Sequence, residues 1–147
     1  MKIEEIKSKL SNLTLDSKRN FGIMPVQHMV EHLTITVKIS SNRISYPKFE
    51  PTEKQLAQKE ALLNTNLEFP KGVKAPGIGD NLMPLKHPNL SVAKENLIKS
   101  LEEYQDYFKE NQNAKTIHPR FGPMTFLEWE LFHPKHFQHH FEQFNIW

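Results

Sequence analysis

Four of the eight histidines in this 147-residue sequence lie between positions 133 and 140. They occur in the segment FHPKHFQHHFEQF as His133, His136, His139 and His140. His136 and His140 are four residues apart, so on a helix their imidazoles lie one turn apart on the same face. Two imidazoles with that spacing are able to bind one metal ion. This spacing therefore predicts half of a metal site.

A helical wheel divides the four histidines between two faces of this segment. Its aromatic residues share one broad face: Phe126, Trp129, Phe137, Phe141 and Phe144. His133 and His140 fall within that face, and His136 falls at its edge. His139 falls nearer the polar side, so we do not expect it to be buried in the same way.

Pro134 lies inside this predicted helix. A proline in a helix interior removes one backbone hydrogen bond and clashes with the preceding turn, so we expect a kink or a break near residues 130–134. Residues 135–145 are still predicted to form one continuous helical piece. The relation between His136 and His140 is therefore retained, whereas the placement of His133 is less secure.

A second pair of histidines occurs in the segment PVQHMVEHLTITVKIS, residues 25–40. Its polar residues form one narrow stripe on the predicted helix: Gln27, Glu31, Thr34 and Lys38. His32 lies closer to the apolar face than His28 does, so its imidazole is placed to enter a core shared with the last helix. Three imidazoles from two distant segments would then meet, although the wheel does not exclude His28 or His133.

Other titratable residues have simpler interpretations. His87 and His118 are expected to be ordinary packed histidines, and His118 precedes Pro119 where it can bond to the backbone. Glu31 and Glu130 are candidates for general bases or for supports of metal ligands. Solvated or helix-capping roles are the alternative for both carboxylates.

Four segments with helical periodicity supply the elements that would position the histidines. They are an opening helix with apolar residues at 3, 6, 10 and 13, the segment 25–40, a helix with Ser91 as its N-cap, and one that begins at Thr125 and continues towards Ile146. Thr125 and Glu128 fit a capping box. A weaker helix is predicted over residues 52–64, and no segment shows a sustained strand alternation.

Residues 67–90 form a long connection that contains four prolines and three glycines. A connection of this length in a compact domain is often functional or packed over another element, and a surface wrap between two helix ends is the alternative. Together these patterns predict one all-α domain over residues 1–147, a four-helix bundle with one long crossover.

The composition argues against several classes of protein. Hydrophobic residues make up 37% of the chain, and no apolar run approaches the roughly 18 residues that span a membrane, so we expect no membrane partner. The net charge is only +2 and no basic stripe is present, so we expect no nucleic-acid partner. The absence of cysteine excludes disulfides and thiolate ligands and is consistent with a cytoplasmic protein.

Two of these segments resemble the motifs of a known superfamily. MPVQHMVEHL resembles the first histidine motif of the DinB/YfiT-like metal-binding four-helix bundles. HFQHHFEQF resembles their closing motif, in which two histidines at i and i+4 are followed by a glutamine. The lead-in HPRFGPMTFLEWELFHPKH is similar to one branch whose members are mostly uncharacterised.

The resemblance implies that three histidines bind a metal: His32, His136 and His140. It also implies that three others are neighbours rather than ligands: His28, His133 and His139. Imidazoles without thiolates suit Zn²⁺, Ni²⁺, Co²⁺ or Fe²⁺, and the ligand type alone does not choose among them. Three protein ligands leave a coordination position open, which is typical of a catalytic site.

Characterised relatives of that superfamily transfer low-molecular-weight thiols such as bacillithiol, or use mycothiol or glutathione. The resemblance therefore implies a metal-dependent enzyme that acts on a small molecule by thiol S-transfer or hydrolysis, and a homodimer, since relatives often form dimers. One alternative is a non-enzymatic binding or stress-associated bundle whose histidines hold metal structurally or hold none. Another is a pH-responsive histidine cluster.

Overall fold

The structure, a computed structural model, describes residues 1–70 and 82–147. Within these residues the chain is mostly helical, with five helices and one short hairpin. The elements in chain order are α1 (Ile3–Ser11), α2 (Val26–Ser40), α3 (Glu53–Asn64), α4 (Leu90–Glu110), β1 (Lys115–His118), β2 (Gly122–Thr125) and α5 (Phe126–Glu142). Among the described residues, no helix is both long enough and apolar enough to cross a bilayer.

The core forms where α2 and α4 pack together, with α1 against α4 and α5 against α2 and α3. Each helix contributes an apolar face, because burying such a face is the main favourable contribution to folding. Side chains that are almost completely buried include Met29, Leu33, Leu97, Leu101, Tyr104, Trp129, Phe137 and Phe141. The contact between α2 and α5 is the one that brings the two histidine segments together.

Side-chain caps begin three of the helices. Thr52 and Thr125 each form a complete capping box, which confirms the predicted start at Thr125 and the weaker helix over residues 52–64. The predicted N-cap at Ser91 is wrong, because α4 begins earlier. The Asn89 side chain accepts the backbone N–H of Val92, and this bond satisfies one of the free donors at the helix start.

The sequence predicts no strand, whereas the structure contains an antiparallel hairpin just before α5. Lys115 of β1 pairs with Thr125 of β2, and His118 pairs with Gly122. Each strand has four residues, which is too short for the alternation of apolar and polar residues to be recognised. Gly122 lies at φ 74, in the left-handed region that favours glycine, and allows the strand to pack closely against Pro51.

Helix α5 continues through Pro134 without interruption, so of the kink or break predicted near residues 130–134, the break is wrong. The proline offers no N–H to the carbonyl of Glu130, one turn earlier. On either side of it, Trp129 and Phe137 are completely buried. Tertiary packing of these aromatic rings therefore holds the turn helical against the local preference of proline.

The carboxyl end of α5 also comes earlier than predicted, since the helix ends at Glu142 and does not reach Ile146. Asn145 adopts a left-handed conformation with φ 58. The N–H of Ile146 then bonds to the carbonyl of Phe141 over 3.0 Å, and the N–H of Asn145 to that of Glu142 over 3.4 Å. These two bonds and the left-handed residue form a Schellman motif, which terminates the helix.

The long connection predicted over residues 67–90 is described only at its two ends, because residues 71–81 lie outside the described part of the chain. At the first end, the amine of Lys135 donates to the carbonyls of Leu62, Thr65 and Leu67. At the second end, the Glu31 carboxylate accepts the backbone N–H of Lys86 over 2.6 Å. Both described ends are therefore bonded to helices of the core.

Candidate metal centre

The structure brings together the three imidazoles that the sequence predicts as ligands. His32 projects from α2, and His136 and His140 project from one face of α5. The Nε2 atom of His136 lies 3.2 Å from Nε2 of His32 and 3.1 Å from Nε2 of His140. One nitrogen from each ring lies within 4.8 Å of the other two. Among the described residues, this is the one group of three or more metal-binding side chains.

These separations suit one small divalent ion. Nitrogen atoms bound tetrahedrally at about 2.0–2.1 Å from such an ion lie about 3.3 Å from one another. The measured values of 3.1 and 3.2 Å are within a few tenths of an ångström of that separation. The third pair of nitrogens, those of His32 and His140, lies within 4.8 Å. Rotation of these two rings would bring all three nitrogens to one metal.

Gln143 determines which nitrogen of His140 carries the proton. Its side-chain oxygen Oε1 lies 2.9 Å from Nδ1 of His140. An amide oxygen only accepts hydrogen bonds, so Nδ1 must be the protonated nitrogen and must donate to it. The lone pair of His140 is then on Nε2, the atom that faces the other two histidines. Donation from the second ring nitrogen to an amide or carboxyl oxygen is how metal-binding histidines are usually oriented.

Nε2 of His136 has two neighbouring ring nitrogens and cannot form a good hydrogen bond with both. Its Nε2 is within hydrogen-bonding distance of both His32 and His140, yet a neutral ring nitrogen has either one hydrogen or one lone pair. Without a cation, at most one hydrogen is shared between two contacts. A metal ion at the centre uses the lone pairs of all three nitrogens at once. The crowding at His136 therefore favours a cation over a network of neutral hydrogen bonds.

Burial keeps all three imidazoles neutral. Desolvation, with a smaller contribution from His139, lowers the pKa of His32 to about 4, and desolvation lowers that of His140 to about 3. Burial, together with the neighbouring imidazoles of His140 and His32, keeps the pKa of His136 well below its usual range. Because metal binding requires the deprotonated ring, the triad is ready to bind a cation at neutral pH without releasing protons.

The triad is more open on one side than on the other. His136 and His140 are 6% exposed each, whereas His32 is only half-buried. The ring of Phe69, which is half-buried, packs 5.4 Å from that of His136. A cavity of about 20 Å³ lies beside this ring, lined by Glu68, Phe69, Lys135, Gln138, His139 and Glu142. It has room for about one water molecule, and none of the three triad histidines lines it.

The three neighbouring histidines have other surroundings. His133 is completely buried, and its Nε2 lies 2.9 Å from the hydroxyl of Ser40. The ring of His139 packs 5.4 Å from that of Phe21. His28 is half-buried, and its Nδ1 has no hydrogen-bond partner within the described part of the chain. None of the three belongs to the converging group.

The two carboxylates considered as bases have structural partners. Glu31 accepts hydrogen bonds from the side chain of Gln27 and from the backbone of Lys86, which ties α2 to the segment before α4. Glu130 accepts the hydroxyl of Tyr104 over 2.8 Å and the amino group of Met1 over 2.6 Å. Neither carboxylate is part of the converging group, so both serve to hold elements together.

His118 and His87 are the two histidines that the sequence predicts to be ordinary packed residues. Nδ1 of His118 accepts the backbone N–H groups of Arg120 and Phe121, at 3.0 and 3.2 Å. His87 is half-buried, and its carbonyl accepts the side-chain amide of Gln27. Backbone bonding of the ring, as expected for His118, is confirmed there, whereas at His87 the bond is made by the main chain.

The sequence indicates Gln143 only as the glutamine of the closing motif, and its role was not predicted. Its position three residues after His140 is a usable signal, because residues three apart on a helix are neighbours. Asn20 and Gly22 contact the end of α5 from more than a hundred residues away, and neither was predicted. No local pattern indicates that contact.

Three kinds of comparison were made with known proteins. The chain was compared with protein families, with functionally characterised proteins and with solved structures, and no match was found in any of them. The DinB/YfiT-like resemblance therefore stays a prediction from two histidine motifs, and the geometry of the triad is the basis for a functional assignment.

Proposed function

We propose that this protein binds one divalent metal ion through His32, His136 and His140 and uses it to act on a small molecule. The observation that supports this proposal is the convergence of three Nε2 atoms around His136, with separations of 3.1 and 3.2 Å. Three protein ligands leave at least one coordination position for water or substrate, as in catalytic sites. A structural zinc site normally has four protein ligands.

The bound metal would lower the pKa of a coordinated water towards about 7, or would bind a substrate thiol or carbonyl. Zn²⁺, Ni²⁺, Co²⁺ and Fe²⁺ all suit three imidazoles. Three features of the chain prepare the proposed ligands. Helix α5 places His136 and His140 one turn apart, and Gln143 orients the ring of His140. Burial keeps each ring neutral. Transfer of a low-molecular-weight thiol and hydrolysis of a small molecule are the two reactions that we propose.

We also propose that the fold is a DinB/YfiT-like four-helix bundle, in which α3 and the hairpin lie on the connections. Two features support this. The predicted ligands come from the second and the last helix of the chain, which is the layout that the resemblance implies. A long connection precedes α4, in the place where the resemblance expects the crossover.

Elemental analysis of protein purified without a metal-binding tag tests the proposal directly. We expect about one equivalent of a divalent metal per chain after reconstitution. His136→Ala is expected to lose stoichiometric binding while the far-ultraviolet circular dichroism stays close to that of the wild type. A His136→Ala variant that retains stoichiometric metal would contradict the assignment.

A panel of substrates then separates catalysis from binding. The metal-loaded protein would be assayed with thiol cofactors plus electrophilic acceptors and, separately, with small esters and amides. Turnover that disappears with chelator and in His136→Ala supports the enzyme. One equivalent of bound metal without turnover on any substrate would instead favour the non-enzymatic bundle.

A further inference from the structure

A turn formed by residues 19–23 lies against the carboxyl end of α5, beside the metal centre. The guanidinium of Arg19 donates to the carbonyl of Ile23 over 2.8 Å and closes the turn. The ring of Phe21 packs against that of His139. The turn is therefore a compact unit whose position is coupled to the last residues of the helix.

Asn20 supplies hydrogen-bond donors that the helix end needs. The last carbonyls of a helix have no partner within the helix. The backbone N–H of Asn20 donates to the carbonyl of Gln143 over 2.6 Å, and its side-chain amide donates to the carbonyl of Glu142 over 3.0 Å. The side-chain amides of Asn20 and Asn145 also donate to each other, at 2.6 and 3.1 Å. These four bonds fix the turn to the residues that follow His140.

Gly22 permits the turn to approach the Gln143 side chain. It has φ 82, a conformation that other residues rarely adopt. A Cβ atom at this position would lie 2.6 Å from Nε2 of Gln143, closer than such atoms approach in proteins. The amide of Gln143 is thus confined between Gly22 on one side and Nδ1 of His140 on the other.

From these contacts we infer that the 19–23 turn is a positioning device for the metal centre. Asn20 fixes the main chain of Gln143, and Gly22 lies against its side-chain amide. Together they hold the amide oxygen towards Nδ1 of His140, and this keeps the lone pair of His140 on Nε2. The expected effect of the turn on metal affinity rests on the proposed metal site. The expected effect on which nitrogen of His140 carries the proton does not, because it also applies to the metal-free protein.

Gly22→Ala tests this role, and Gly122→Ala is its matched control. Both glycines have a positive φ, and a Cβ at Gly122 would lie 2.8 Å from Cγ of Pro51 in the hairpin region. We expect Gly22→Ala to weaken Zn²⁺ binding by about 10- to 100-fold, the usual effect of losing a partner of a metal-binding histidine. Gly122→Ala is expected to lower stability similarly while Zn²⁺ affinity stays within about 2-fold of wild type.

Nitrogen chemical shifts of the histidines in metal-free protein provide a readout that general loss of stability does not produce. In wild type and in Gly122→Ala, His140 is expected to carry its proton on Nδ1. In Gly22→Ala, we expect a mixture in which Nε2 is protonated in part. An unchanged proton position and an unchanged Zn²⁺ affinity in Gly22→Ala would overturn the inference.

Asn20→Ala provides a second variant if Gly22→Ala does not fold. It keeps Gly22 and the backbone bond to Gln143 but removes the side-chain donors to Glu142 and Asn145. A loss of Zn²⁺ affinity of several-fold, with the same change at His140, is expected. If wild-type protein binds no metal, the proposed function fails, whereas the nitrogen shifts of these variants still decide the role of the turn.

Discussion

Two groups of buried histidines lie on either side of Pro134. On its carboxyl side, His136 and His140 join His32 in the proposed metal triad. On its amino side, His133 packs with its ring 5.2 Å from that of Trp129, and His118 packs 5.5 Å from the same ring. We refer to His118 and His133 as the structural pair.

One ring nitrogen in each member of the structural pair has a hydrogen-bond partner, whereas Nδ1 of His133 has none among the described residues. Nδ1 of His118 accepts two backbone N–H groups. The hydroxyl of Ser40 donates to the carbonyl of Val37 over 2.7 Å, so Nε2 of His133 must donate to the hydroxyl oxygen, 2.9 Å away. These bonds hold both rings as neutral packing elements.

Burial alone does not distinguish the two groups. Desolvation lowers the pKa of His118 and of His133 to about 3, as it does for His140. The difference is in what the ring nitrogens face: backbone and hydroxyl groups in the structural pair, and other ring nitrogens in the triad. A low pKa in a buried histidine therefore reports its environment, whereas the partners of its nitrogens indicate its role.

The largest expected effect separates a ligand from its neighbour on the same helix. His32→Ala should weaken Zn²⁺ binding by at least about 100-fold, because losing a ligand costs more than losing the partner of a ligand. His28→Ala, one turn away, should leave the affinity within about 2-fold of wild type. Titration calorimetry measures both. Equal losses in the two variants would show that His28 belongs to the site.

The pH dependence of stability should reveal the structural pair in metal-free protein. His133 has a pKa near 6.5 when unfolded and about 3 when folded. Below pH 6.5 the unfolded chain therefore binds more protons, and the free energy of unfolding falls by about 1.4 kcal/mol per pH unit for this histidine. Its contribution is complete above pH 6.5 and is lost progressively towards pH 3.

His133→Leu should remove that contribution, and Ser40 keeps its bond to Val37 in this variant. Between about pH 6.5 and about pH 4.5, the free energy of urea unfolding should fall by about 2 kcal/mol less in this variant than in wild type. Its Zn²⁺ affinity at pH 7 should remain that of wild type. A pH dependence identical to that of wild type would mean that His133 is not buried as a neutral ring.

A smaller effect is expected from the hydroxyl that supports the structural pair. Thr116 donates to the carbonyl of Ser40 and accepts the indole N–H of Trp129, each over 2.8 Å. Thr116→Val leaves both buried groups without this partner and should lower the free energy of unfolding by about 2 kcal/mol. Thermal unfolding measures the loss. An accompanying large loss of Zn²⁺ affinity would contradict the independence of the two groups.

The smallest effect is expected at the residue between the two groups. Pro134→Ala restores an N–H for the carbonyl of Glu130 and should raise the free energy of unfolding by about 1 kcal/mol, a fraction of the usual cost of an interior proline. The Zn²⁺ affinity should be unchanged, because α5 is already continuous with the proline present. A changed Zn²⁺ affinity would show that Pro134 determines how the triad is positioned relative to the structural pair.

Structural features that depend only on residues close together in the sequence could be predicted. The spacing of His136 and His140 placed both on one face, because a helix repeats about every 3.6 residues. The start of α5 could be predicted from the capping box of Thr125 and Glu128, which lie only three residues apart. Where prediction failed locally, as at Pro134, tertiary packing opposed the local preference.

Other features were determined only by tertiary structure. The ring of His32 meets that of His136 across 104 positions of sequence, and that meeting depends on how α2 and α5 are rotated and offset when their apolar faces pack. Asn20 reaches Glu142 across 122 positions by the same kind of packing. A helical pattern specifies the direction of each side chain from its own axis. The distance between two axes depends on the side chains of the whole core. The sequence therefore predicted which histidines to consider, and the fold brought their rings together.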